Sequence, residues 1–153
     1  MKVKCSLIAA ALLLAPCVMQ AQLEVKHIQS DKSPIAAGVW AGDTYYMSGQ
    51  LASPISPGEY GDTKAQAVSV FAKIQAGLKE QGLDMKDVIK MTVFMGPDQK
   101  TGKLDFAGMQ SEFVKYFGTK EQPNKPARSA FQVAALAAPW ALLEIEVIAV
   151  KSK

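Results

Sequence analysis

The sequence predicts one α+β domain built in two layers, a mixed β-sheet with two helices on one face. Two segments repeat apolar residues at helical spacing, while others are rich in the β-branched and apolar residues that strands favour. The two kinds interleave as strand, helix, strand, helix, strand, strand, which is the order of a helix-backed sheet. The 153 residues contain no internal repeat, charge block or low-complexity tract that would divide them, and a chain of this size is one domain.

The first segment stands outside that fold. Lys2 and Lys4 form a short positive region, and the run from Leu7 to Leu14 is apolar but too short to span a bilayer. Ala15, Gln20 and Ala21 follow, so residues 1–21 are expected to be a secretory signal peptide cut after Ala21, although Met19 is an imperfect residue for that cut. A lipoprotein would be cut before Cys17 and acylated there, but Pro16 occupies the position where such signals want a small flexible residue. The expected product is an exported, periplasmic domain of residues 22–153. It would lack both cysteines, Cys5 and Cys17, and with them any disulfide or cysteine metal site. Lys2 and Lys4 also supply two of the three formal net positive charges. The nearly neutral remainder argues against a dedicated nucleic-acid surface. No later stretch is long and apolar enough to span a membrane.

Thr44 to Gln50 reads as a strand ending in Ser48-Gly49-Gln50, followed by a Pro- and Gly-rich loop from Ser53 to Gly61. Asp62 is placed to cap a helix with Ala67, Phe71, Ile74 and Leu78 on one stripe, and Gly82 supplies the stop. Asp87 to Met95 predicts the next strand, broken by Gly96-Pro97. After a loop, Asp105 caps a second helix with Phe106, Met109, Phe113 and Phe117 inward, closed by Gly118. Ala127 to Ala134 and Leu142 to Val150 are the last strands, joined by an Ala-rich turn around Pro139.

Alternation assigns faces. Leu143, Ile145, Val147 and Ala149 share one face of the last strand, and Leu142, Glu144, Glu146, Ile148 and Val150 share the other. If the first set packs on the helices, Phe131 and Val133 are expected to join it, with Arg128, Ala130 and Gln132 on the face of Glu144. Two helices cannot cover both faces. The second face, with Leu142, Ile148, Val150 and Phe94, is too apolar to be left in water, so another subunit is expected to cover it.

Arg128 is the only arginine among seventeen Lys and Arg residues. A planar five-donor fork suits a carboxylate or phosphate gripped at two points. The competing reading is a salt bridge to Glu144 or Glu146 on the sheet face. Those two glutamates share a strand face, and a carboxylate at an apolar subunit seam can act as general acid or base on a bound water. As exposed strand charges they would instead discourage edge pairing. His27, the only histidine, has no second His or Cys to form a ligand set, so no metal site is expected. Ser48-Gly49 lacks both a Gly-x-Ser-x-Gly frame and a nearby histidine, which excludes a serine-hydrolase triad. Ser48 is left as a hydrogen-bond donor, and Gly49 as a place where backbone can approach a ligand closely.

Four segments in order resemble the RidA (YjgF/YER057c/UK114) family of small imine deaminases: Tyr46-Met47-Ser48-Gly49-Gln50, Asp87-Val88-Ile89-Lys90-Met91-Thr92-Val93-Phe94, Pro126-Ala127-Arg128-Ser129, and Leu143-Glu144-Ile145-Glu146-Val147-Ile148-Ala149-Val150. The resemblance implies a chorismate-mutase-like fold, a homotrimer around a central barrel, and active sites in the clefts between subunits. It implies that Arg128 grips a substrate carboxylate, Glu144 handles the attacking water, and Ser48 and Gly49 line the pocket. The implied reaction hydrolyses a 2-imino acid or its 2-enamino tautomer to a 2-oxo acid and ammonia, without metal or organic cofactor. This sequence departs from the family pattern twice. Ser33-Pro34-Ile35 stands where members carry Gly-Pro-Tyr, and Ala130 where a cysteine is frequent. A non-catalytic binder of small carboxylates is therefore the alternative function, and ribonuclease activity, attached to some members by name, ranks below both.

Overall fold

The computed structural model describes residues 23–98 and 101–152. The expected signal peptide over 1–21, with Cys5 and Cys17, lies outside the described residues. Six strands form one sheet: β1 (Val25–Ile28), β2 (Gly38–Ala41), β3 (Thr44–Leu51), β4 (Val88–Met95), β5 (Ala127–Gln132) and β6 (Leu143–Val150). Their spatial order is β1-β2-β3-β6-β4-β5, antiparallel throughout except for the parallel pair β4 and β5. Two helices, α1 (Thr63–Glu80) and α2 (Phe106–Tyr116), are the crossovers from β3 to β4 and from β4 to β5. β3 and β4, on either side of β6, run parallel, as do the neighbours β4 and β5; parallel strands cannot be joined by a tight turn, so each connection crosses over through a helix, and both helices pack on the same face.

Local signals set the helix ends where the sequence places them. The Asp62 carboxylate accepts the Ala65 N–H at 2.8 Å, and Asp105 accepts that of Gly108 at 2.8 Å. Gly82 and Gly118 take positive φ values of 73° and 74° just beyond the helices. Asp87 does not begin the strand. With Asp84 it forms a reciprocal cap around the 3-10 turn Met85–Asp87, and β4 starts one residue later.

The core lies between sheet and helices. Tyr45, Met47, Met91, Val93, Met95, Leu143, Ile145, Val147 and Ala149 come from the sheet, and Val70, Phe71, Ile74, Leu78, Met109, Phe113 and Phe117 from α1, α2 and the residue after it. Gln66, itself buried, ties α1 to the last loop: its Oε1 accepts the Leu142 N–H at 2.9 Å and its Nε2 donates to Trp140 O at 3.1 Å. Trp140 stacks on Tyr60 with centroids 3.5 Å apart, so the Ser53 to Gly61 loop is clamped to the same region.

Four sequence expectations change. Strands β1 and β2 are additional, and β2 meets β3 through a two-residue turn with Gly42 at φ 58°. Leu142 is buried before β6 begins and does not belong to the open face. Phe106, expected inward, is largely exposed at the start of α2. The faces of β5 are also reversed. β4 sets the register, with Met91 opposite Arg128, Val93 opposite Ala130 and Phe94 opposite Phe131. Arg128, Ala130 and Gln132 therefore lie on the helix face, while Phe131 meets Phe94 edge-on at 5.2 Å on the open face.

Candidate active site

Ser48 and Gly49 form a β-bulge. Met47 pairs with Val147 and Gln50 with Ile145, leaving two residues of β3 opposite Glu146 alone. The bulge is pinned from outside the sheet. Ser48 N–H donates to Ala37 O at 3.1 Å, Ser48 Oγ donates to Ala36 O at 2.7 Å, and Gln50 Nε2 donates to Ser48 O at 2.9 Å. The Ser48 proton is thus committed to backbone, and the hydroxyl faces any ligand as an acceptor.

Gly49 is required for space. A Cβ there would overlap Glu144 Oε1, so the half-buried carboxylate rests on the Gly49 backbone. Glu144 is placed by β6, opposite Leu51 on one side and Phe94 on the other. Glu146, two residues on, is exposed opposite Thr92. Beside the bulge opens a cleft of about 360 Å³ lined by Ile28, Ser33, Ile35, Ala36, Ser48 and Gly49 among others.

Arg128 is held differently. Its guanidinium carbon lies 4.2 Å from the Phe113 ring centroid and 5.6 Å from that of Phe106, and its Nη1 is 4.0 Å from Met109 Sδ. Burial lowers its pKa, yet a guanidinium remains protonated at neutral pH. Among the described residues it forms no ion pair. The competing salt bridge to Glu144 or Glu146 is not made, because the sheet stands between them. Two aromatic faces steady the cation and Met109 Sδ accepts one weak N–H bond, which leaves its other N–H donors without a protein partner among the described residues. Ala130 lies beside Arg128 on the same face, packed against the core.

One chain therefore brings Ser48, Gly49 and Glu144 together and keeps Arg128 and Ala130 apart from them. His27 sits in β1 opposite Val39. Among the described residues, no three His, Cys, Asp or Glu side chains converge as a metal site would need. Sequence reasoning missed the role of Phe106, Met109 and Phe113 around Arg128, since their spacing on α2 is also that of core residues. It also gave no hint of Gln110, whose buried Oε1 has no hydrogen-bond partner.

The fold and site define a class: a small helix-backed sheet carrying an unpaired guanidinium on one face and a carboxylate seated on a β-bulge on the other. The sequence profile described as Endoribonuclease L-PSP matches residues 31–151, and the chain belongs to that family, the YjgF/RidA family. It is 35% identical over 132 residues to a RutC family protein of Haemophilus influenzae, spanning 81% of this chain and 95% of the relative. It is 36% identical over 137 residues to the Escherichia coli protein named "Putative reactive intermediate deaminase TdcF", spanning 88% and 99%. Among solved structures, RidA from an Antarctic Psychrobacter is 35% identical, with a TM-score of 0.64 over 82% of this chain and 99% of the other. A YjgF-family protein of Neisseria meningitidis is 25% identical, with a TM-score of 0.66 over 86% and 98%.

Proposed function

We propose that this chain is an exported deaminase that hydrolyses 2-imino acids, or their 2-enamino tautomers, to 2-oxo acids and ammonia. It works as a homotrimer whose sites lie between subunits. One observation carries this reading: Arg128 is poised for a carboxylate but lies across the sheet from the Glu144 bulge, so a second copy must supply the other half of a working site. The half-covered sheet face with exposed Tyr46 and Phe131 gives that copy a seat. The family relationship and the name of TdcF favour the same chemistry.

In the reaction, Arg128 of one subunit holds the substrate carboxylate by two parallel N–H bonds and orients the protonated imine carbon toward Glu144 of its neighbour. Glu144 takes a proton from water as the new O–C bond forms, giving a carbinolamine. The proton then passes to nitrogen, Glu144 takes the hydroxyl proton as the C–N bond breaks, and ammonia leaves as the carbonyl forms. Such imines hydrolyse unaided, so lowering the barrier by about 4 kcal/mol, roughly a thousandfold, is sufficient.

The test generates 2-imino acids in situ with an amino-acid oxidase and follows their loss. Arg128→Ala and Glu144→Gln should each lose activity by about 10²–10⁴-fold. Mixing the two inactive variants through unfolding and reassembly should restore about a quarter of the sites, because one subunit then supplies the arginine and its neighbour the glutamate. No recovery would sink the shared site, and full activity in Arg128→Ala would sink the deaminase. Saturable binding of 2-oxo acids without turnover would mark a carboxylate binder instead.

A further inference from the structure

Ile35 is 63% exposed, yet the chain on both sides of it is fixed. Ser33 Oγ donates to Ile35 O at 2.7 Å and accepts the Ile35 N–H at 3.3 Å. The next carbonyl, of Ala36, accepts the Ser48 hydroxyl, and Ala37 N–H donates to Ile28 O at 2.7 Å. An isolated exposed aliphatic is ordinary. Here it is held at the wall of the cleft of about 360 Å³, with Ile28, Ala36 and Ala37 as further apolar lining and the Ser48-Gly49 bulge in the same cleft.

The Gly49 backbone that seats Glu144 therefore also borders an apolar recess. A substrate whose reacting carbon meets Glu144 over Gly49 lies next to this recess, which is the apolar space beside it for a side chain. Of the polar residues in the lining, Ser48 spends its proton on Ala36 O, Ser33 spends its own on Ile35 O and Gln50 donates to Ser48 O, and Gln29 and Ser30 complete the polar rim. We propose that this recess is the side-chain pocket, that it selects 2-imino acids with branched or aromatic apolar side chains over small or polar ones, and that Ile35 is the specificity-determining residue. This rests on the deaminase reading.

The experiment compares imines derived from alanine, serine, leucine and phenylalanine. kcat/KM for the leucine- and phenylalanine-derived substrates should exceed the alanine- and serine-derived ones by at least about 10–100-fold, the amount that one extra methylene is worth in an apolar pocket. Ile35→Ser should collapse that ratio toward one, and Ile35→Val should keep most of it. Hydrolysis of all four at equal kcat/KM overturns the pocket and leaves the deaminase standing. If no imine is hydrolysed, the deaminase falls, and calorimetry with 4-methyl-2-oxopentanoate and pyruvate decides the pocket. Tighter binding of the branched acid that is lost in Ile35→Ser supports the pocket, and equal or absent binding overturns it. An Ile35→Ser protein with altered oligomeric state by light scattering and an unchanged ratio assigns Ile35 to a subunit contact and also overturns it.

Discussion

On the helix side of the sheet, Leu143, Ile145, Val147 and Ala149 are sealed beneath α1 and α2, whereas the alternate residues Glu144, Glu146, Ile148 and Val150 face outward beside Tyr46, Phe94 and Phe131. The first face is a finished core. The second has aromatic and aliphatic groups enough to form one, but the described residues supply no layer to close it. In the proposed reaction each face also holds one half of the chemistry, Arg128 on the closed side and Glu144 on the open side. On the proposed trimeric reading, one face supplies stability, the other is kept for assembly, and function depends on joining the two.

The largest test of that contrast is structural. Ile145→Ala should cost about 3 kcal/mol of stability in denaturant titrations, with assembly retained by the fraction that folds. Phe131→Lys should leave the fold intact by circular dichroism and instead shift sedimentation toward monomer. If both changes unfold the protein equally, the division between the faces is wrong. A middle-sized test acts on the bulge. Gly49→Ala should push the Glu144 carboxylate aside and lower kcat/KM about 30-fold, near 2 kcal/mol, with a much smaller shift in Tm. Unchanged activity would show that the carboxylate need not rest there.

The smallest effect belongs to the closed face. Burial, reinforced by the Glu80 charge, raises the Tyr45 phenol above the ordinary value of about 10. The folded state therefore holds this proton more tightly than the unfolded chain. The resulting stability is fully present below about pH 10 and is lost as pH rises through the raised value. Tyr45→Phe should flatten that alkaline decline in a Tm-versus-pH series, and an unchanged decline would place its origin elsewhere.

The helices and the four strands β3 to β6 were legible because their signals are local: Asp62 and Asp105 as caps, Gly82 and Gly118 as stops, and strict alternation in β6. Strands β1 and β2 are only four residues each, and the Gly42-Asp43 pair between two β-rich stretches was the signal that could have revealed their hairpin. For the candidate site, the sequence named residues but not their geometry. Arg128 lies on an edge strand whose register is dictated by β4, so its own neighbours in sequence could not tell which way it points. Phe106, Met109 and Phe113 read as core because a cradle for a cation and a core stripe have the same spacing along a helix.

Gly49 and Glu144 are far apart in sequence yet occupy one shared volume. Their identities cannot drift independently. A lineage that exchanged the glutamate for a shorter side chain would relieve the crowding, and any small residue could then settle at the glycine. The residue at position 49 thus serves as a record of the acid at position 144: while the carboxylate is kept over the bulge, only glycine leaves it room.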